Sequence, residues 1–250
     1  MSRDTPPGQG RATLDGVTAR LPVFPLGTVL FPGLVLPLHI FEERYRALVR
    51  HLVGLPAGAP REFGVVAIRK GWEVAPTGPD GRPTPGGGDV TLHDIGCTAE
   101  LRQVTELDDG GFDIVTVGKR RFRIADVDAR SAPYLTAEVE WLPEPGGPDE
   151  TAELLAARVI AVFRQYLGLV RADPEEISEQ LPEDPTVLSH LVAATAALTV
   201  ADRQRLLAID DTAARLRAEL RLLNREAALL RQVRAVPVPL GELASPPTPN

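Results

Sequence analysis

The sequence predicts an α+β protein in which a β-rich N-terminal half is followed by an α-helical C-terminal half. Three observations carry that expectation. From Leu21 to about Trp141 the chain runs as short apolar stretches separated by turn residues. After the proline- and glycine-rich segment Pro143 to Pro148 the apolar spacing changes to the three-and-four period of helices. The last periodic stretch, about Asp211 to Arg234, would make one helix of roughly 36 Å.

Residues 1–20 are polar and rich in Gly and Pro, which predicts a disordered tail, so the β-rich part is expected over 21–143. Its opening is apolar but carries Pro22, Pro25, Pro32 and Pro37, which forbid a continuous helix and remove ladder donors. Short extended pieces joined by bends should result. Phe41, Tyr45, Leu48 and Leu52 then line one face of a helix, with Glu42, Arg46 and Arg50 off it. Phe63–Ile68 and Ile95–Leu101 read as strands, and residues 71–89, with repeated Gly and Pro, as a flexible insertion. Asp108-Asp109-Gly110-Gly111 tolerates positive φ and predicts a hairpin, and a second turn is expected at Gly118-Lys119. In Leu135–Trp141, strict alternation puts Leu135, Ala137, Val139 and Trp141 on one face of an antiparallel strand. Strands this short, mostly without helical crossovers, favour a small barrel or sandwich.

The helical half is expected over 149–235. Leu155, Val159, Val162, Phe163, Tyr166, Leu167 and Val170 form one stripe. Asp173-Pro174 and Asp184-Pro185 each supply an N-cap followed by proline at the first helical position, and Thr199 with Asp202 resembles a capping box. In the last helix Leu216, Leu220, Leu223, Ala227 and Leu230 make a heptad-like seam. Packing against the rest of the chain explains it first; a homodimer is the other reading. The proline-rich stretch 236–250 predicts a second disordered tail.

A net charge of -7 and a pI near 5.2 argue against a general nucleic-acid or anionic-membrane binder, because both need a positive field. The only lysines are Lys70 and Lys119, so almost all positive charge is arginine. Cys97 has no partner for a disulfide and reads as a small buried hydrophobe. The first residues lack the apolar core of a signal peptide, and no apolar run approaches the roughly 20 residues of a membrane helix. A soluble cytoplasmic protein is expected.

The stretch from Leu21 to Tyr45 carries a resemblance. Pro25-Leu26, Phe31-Pro32 and Pro37-Leu38, leading into Phe41-Glu42 and Arg44-Tyr45, resemble the opening of the Lon N-terminal (substrate-binding) domain family, and the Phe-Glu-x-Arg-Tyr form is similar to its stand-alone members. The similarity continues at Gly64–Ile68, Ile95–Ala99, Gly118–Ile124, Pro133–Ala137 and Gln204–Ala208, so it covers about residues 20 to 235. It implies a PUA-like β-barrel followed by an α-helical subdomain, and a protein or peptide ligand. The motif residues themselves read as architecture, with Glu42 and Arg44 an ion pair fixing the helix start.

The sequence offers little chemistry. A phosphate-cradling loop is absent, since Gly118-Lys119 is followed by Arg120 and Asp113 stands where the first Gly should be. Pro79–Thr84 only echoes the context of the family's protease serine and contains no Ser, and Gly86-Gly87-Gly88 lies in the flexible insertion. His39, His51, His93 and His190 lack metal-ligand spacing, so no cofactor or metal is expected. His93-Asp94 reads as a turn before a strand. Lys119-Arg120-Arg121-Phe122-Arg123 could touch phosphates, but Asp113, Asp126 and Asp128 flank it. The sequence therefore favours a non-catalytic protein-binding module, with RNA binding and a cryptic hydrolase as the alternatives.

Overall fold

The structure, a computed structural model, describes residues 18–70, 91–144, 149–170 and 181–235. Its first part contains strands β1 (Thr18–Leu26), β2 (Val35–Ile40), β3 (Glu62–Lys70), β4 (Thr91–Leu92), β5 (Ile95–Glu106), β6 (Phe112–Asp128) and β7 (Leu135–Trp141), with helix α1 (Glu43–Val53) after β2. Helices α2 (Glu150–Val170), α3 (Pro185–Thr195), α4 (Val200–Leu207) and α5 (Thr212–Ala235) follow. The insertion at 71–89, the Asp173-Pro174 cap and the tail at 236–250 lie outside the described residues.

Order β1-β7-β6-β5-β3 is antiparallel, and β3 returns to β1 in parallel, so five strands close into a barrel. β1 makes closure possible by changing partners at Val23, which lies opposite both Leu135 of β7 and Gly64 of β3. Pro22 pairs only with β7 and Pro25 only with β3, so neither missing N–H interrupts two ladders. Thr18–Arg20 pair with Glu138–Glu140, which corrects the expectation that the tail extends to residue 20. Cross-strand pairing orders these polar residues despite their composition.

The second correction concerns Gly118. β6 runs straight through the expected turn at Gly118-Lys119, because this glycine answers a packing demand. A Cβ on Gly118 would lie 2.1 Å from the Phe31 carbonyl oxygen, and Gly118 exchanges backbone hydrogen bonds with Leu34 and Gly33 at 2.8 Å. The register slips by one residue just beyond it, between Cys97–Arg121 and Ala99–Gly118, a bulge that bends β6. The hairpin at Asp108–Gly111 does form. Gly110 adopts φ +76, and the Gly111 N–H donates to Asp109 Oδ1 at 2.8 Å.

Phe122 fills the barrel interior among Val23, Val66, Ala137 and Val139. Its ring needs Gly64 and Gly96, where a Cβ would come within 2.6 Å of Cζ. A second cluster packs Tyr45, Leu48, Val49 and Leu52 of α1 onto Phe24, Leu26, Phe63 and Ile114. In the third, Phe163, Tyr166 and Leu167 of α2 meet Leu216 and Leu223 of α5, with Leu220 and Leu230 partly buried beside them; Ala227 is buried as well. The heptad-like seam is thus covered within the chain. The same cluster includes Val29, Phe31, Ala67 and Ile95, so one core continues from barrel into helices.

Asp184 caps α3 by accepting from the Thr186 and Val187 N–H groups, and Thr199 caps α4 by accepting from the Asp202 N–H. Gly168, inside α2, has open space where a Cβ would sit. Gly168→Ala is therefore expected to raise stability by about 0.5–1 kcal/mol through backbone entropy, read as a higher urea midpoint. An unchanged or lower midpoint would show that the backbone there does not accept alanine.

Charged groups also tie the halves together. Arg121 of β6, fully buried, donates to the carbonyls of Pro143, Leu207 and Ile209 at 2.8–3.0 Å and to the carboxylates of Glu144 and Asp210. Arg215 of α5, also fully buried, donates to Ser189 Oγ and the Ile209 carbonyl, 2.8 Å each, and lies 3.8 Å from Glu144. Burial pushes the Glu144 carboxyl up, but the neighbouring His190 ring and Arg121 guanidinium outweigh it and hold it at about 2. Burial lowers the His190 pKa, which Glu144 only partly offsets.

Glu219 is the exception. It is 1% exposed, neither carboxylate oxygen has a hydrogen-bond partner, and burial raises its pKa well above 4.5 despite Arg215. The folded state therefore holds this proton after the unfolded chain has released it. Its contribution is fully present below pH 4.5 and declines as pH rises toward the folded pKa. Glu219→Gln should remove that decline, so the variant's stability advantage grows from pH 5 to pH 8 in paired urea titrations. A difference that stays flat with pH would contradict a protonated Glu219.

Candidate functional site

One stretch of the described surface combines apolar side chains, an open strand edge and hollows. It is β2 and the start of α1. Among the described residues β2 pairs only with β6, from Val35 opposite Val117 to Ile40 opposite Phe112. The Gly118 N–H donates to the Leu34 carbonyl, and carrying this alternation along the register turns the Leu36 and Leu38 backbone toward β6. The backbone groups of Val35, Pro37 and His39 then face the open edge. Pro37 stands where its missing N–H costs no ladder bond, and it blunts the edge against another strand.

Val35 is 63% exposed and Phe41 49% exposed, values large enough to mark an uncovered apolar surface. Two hollows flank Leu38 and His39. One lies between β2 and α1, among Phe24, Leu26, Ile40, Phe41, Glu42 and Tyr45. The other, about 440 Å³, lies over Pro37, Gln103, Thr105, Asp113, Ile114 and Val115. His39 Nδ1 is 2.8 Å from Asp113 Oδ1, its partner across the strands, and both side chains are exposed. This edge offers apolar contact, free backbone groups and one polar pair.

The sequence motif falls into two groups here. Pro25 and Leu26 end β1, and Leu26 is buried under α1 with Tyr45, whose ring stacks on Phe24 at 3.8 Å. Phe31, fully buried, belongs to the core shared with the helices, and Pro32 leads into Gly33. Glu42 occupies the N-cap position of α1 but makes no cap hydrogen bond; Oε2 accepts from Arg44 Nε at 3.0 Å instead. Arg44 also lies over the Tyr45 ring at 4.4 Å. Pro37, Leu38 and Phe41 reach the surface just described. The structure thus gathers Leu26, Leu38, Phe41, Glu42 and Tyr45 around one hollow and leaves Phe31 and Pro32 elsewhere.

The basic strand is largely spent on the protein itself. Lys119 Nζ is 3.3 Å from Glu100, Arg120 stacks on Trp141 at 3.7 Å, and Arg121 is buried, so Arg123 is left as the exposed cation without an ion pair among the described residues. One guanidinium is not a basic track. Burial pushes the Cys97 thiol far up, which keeps it protonated. Among the described residues no group of three or more His, Cys, Asp and Glu could hold a metal ion, and no helix is long and apolar enough to cross a membrane. The stretches 79–84 and 86–88 lie outside the described residues.

Sequence reasoning missed Val35, His39 and Asp113 as site residues. Nothing in their identity distinguishes them, since exposure of an apolar strand residue depends on which edge remains unpaired. The alternation of β2 held the only signal.

A closed β-barrel continued by a helical half is the architecture of Lon N-terminal domains. The chain belongs to the family described as the ATP-dependent protease La (LON) substrate-binding domain, whose model matches residues 20–225. It is 27% identical over 221 residues to a Lon protease of Anaeromyxobacter dehalogenans, covering 87% of this chain and 24% of that protein. It is 29% identical to Lon protease 2 of Sorangium cellulosum, covering 84% and 25% respectively. The chain thus spans about a quarter of the length of the curated relatives it matches. The N-terminal domain of a Mycobacterium avium complex Lon protease shares the fold, with a TM-score of 0.61 and 22% identity over 84% of this chain and 98% of that one. A Lon N-terminal domain protein from Xanthomonas campestris aligns with a TM-score of 0.54 and 25% identity, over 81% and 97%.

Proposed function

We propose that the chain is a non-catalytic protein-binding module of the cytoplasm, which engages an extended apolar segment of a protein along the open edge of β2. The observation that carries this reading is the exposed Val35, Pro37 and Phe41 beside the unpaired backbone of that strand. An extended peptide can place alternate side chains in the hollows on either side of Leu38 and His39 while its backbone meets the free groups of Val35 and His39. Pro37 interrupts this pairing, so side-chain contact has to supply most of the affinity. The family match supports protein substrates as the ligand class, and the role proposed on that basis is an adaptor in protein quality control.

Reduced, carboxymethylated α-lactalbumin carrying a fluorophore is a suitable permanently unfolded probe. It should bind the full chain, and the double substitution Val35→Ser and Phe41→Ser should weaken binding about tenfold or more, as expected when apolar anchors are lost. Both residues are exposed, so the variant should melt within a few degrees of the parent. Equal affinity of parent and variant would remove this edge as the site, and no binding by the parent would remove the function.

A further inference from the structure

A second cleft, away from β2, lies in the seam between barrel and helices. Its volume is about 310 Å³, and it is lined by His93 and Asp94 before β5, Arg123 of β6, and Gln204 and Arg205 of α4. Seams between subdomains are common places for small ligands.

The polar groups there are incompletely used. Gln204 is 7% exposed; its Nε2 donates to the Ile95 carbonyl at 2.7 Å, which fixes the amide's orientation and leaves Oε1 buried without a donor. Arg123 and Asp94 make no side-chain hydrogen bond or ion pair among the described residues, although Glu140 lies opposite Arg123 in the register. Arg205 reaches Asp202 at 3.1 Å, yet its side chain remains 78% exposed. Burial and the charge of Arg69 lower the His93 pKa, against the pull of Asp94, so its ring adds no competing positive charge near neutral pH.

The cleft thus presents guanidinium donors together with two acceptors, Asp94 and Gln204 Oε1. A simple anion would satisfy the arginines but would meet Asp94 and leave Gln204 unpaired. An amine alone would leave Arg123 without a counter-charge. We propose that this cleft binds an α-amino carboxylate, with its carboxylate on Arg123 and Arg205 and its nitrogen-bound hydrogens donated toward Asp94 and Gln204. A free amino acid and the last residue of a polypeptide share that chemistry. The proposal is independent of the β2 edge.

Titration of the ¹⁵N-labelled full chain with four probes tests it: alanine, N-acetylalanine, alaninamide and inorganic phosphate. Saturable shifts at the Asp94, Gln204 and Arg205 amides are expected with alanine or N-acetylalanine. Tighter binding of alanine would identify a free amino acid as the ligand, and tighter binding of N-acetylalanine a chain terminus. Alaninamide should bind about tenfold more weakly or worse, since a charge-assisted hydrogen bond is lost. Arg123→Gln, at an exposed position, should weaken the carboxylates equally, whereas the Val35→Ser and Phe41→Ser variant should bind them normally. The proposal is overturned if neither carboxylate shifts these amides, if alaninamide or phosphate binds as tightly, or if Arg123→Gln changes nothing.

Discussion

Arg121→Met should destabilise the protein by about 3–5 kcal/mol, the usual cost of removing one member of a buried, hydrogen-bonded charge set. Methionine roughly preserves the length of the side chain but none of its donors. The carbonyls of Pro143, Leu207 and Ile209 would lose their bonds to Arg121 at once, and Glu144 would keep only Arg215, 3.8 Å away, and His190, 3.6 Å away. For a chain of this size such a loss lowers Tm by roughly 10 °C. Arg121→Lys should recover only part of it, because an ammonium cannot reproduce the planar fork. Since Arg121 sits on β6 and its carbonyl partners lie in the linker, at the end of α4 and in the turn after it, unfolding of the methionine variant should also lose cooperativity. With Trp72→Phe in the background, fluorescence of the barrel's Trp141 and far-UV dichroism of the helices should then report different midpoints. Coincident, barely shifted transitions would mean that the apolar seam around Phe31 holds the halves together without the arginine.

Gly118→Ala should also be clearly destabilising, for a different reason. The added methyl would sit 2.1 Å from the Phe31 carbonyl oxygen, a backbone atom fixed by the Gly33–Gly118 and Gly118–Leu34 hydrogen bonds. Either those bonds stretch or Phe31 leaves its buried site, and overpacking of this kind costs about 1–3 kcal/mol or more. The effect should spread, because Phe31 belongs to the core shared with the helices. Faster amide exchange at Gly33 and Gly118, together with a lowered urea midpoint, is the expected result. A variant as stable as the parent would show that the Leu30–Gly33 bend can move aside.

The order of strands and helices was legible because burial alternates along β7 and follows helical spacing in α2 and α5, so residue type carried the pattern. Asp184 and Thr199 were legible as caps because their partners are only a few residues away. Gly118 was misread as a turn because a glycine needed for close approach looks the same in sequence as one needed for a bend. Arg121 was hidden for a related reason. In Lys119–Arg123 all the basic residues look alike, and their types do not tell that Arg121 alone is buried against the helical half. The candidate edge lies in the stretch that carries the family resemblance, but its residues were not legible as a surface, since the proline-rich opening contributes both buried Leu26 and exposed Phe41.

The change of partner within β1 has a consequence during synthesis. Ala19 pairs with Val139, so the first strand leaves the ribosome roughly 120 residues before its antiparallel neighbour exists, an interval of about 6–24 s at ordinary elongation rates. Throughout that interval β1 has at most the parallel partner β3 to lie against, and β2 waits for β6. The prolines of this opening give the nascent chain protection, because a segment broken at positions 22, 25, 32 and 37 is a poor template for strands of neighbouring chains. The same prolines that the finished barrel tolerates thus keep its unfinished edge from aggregating.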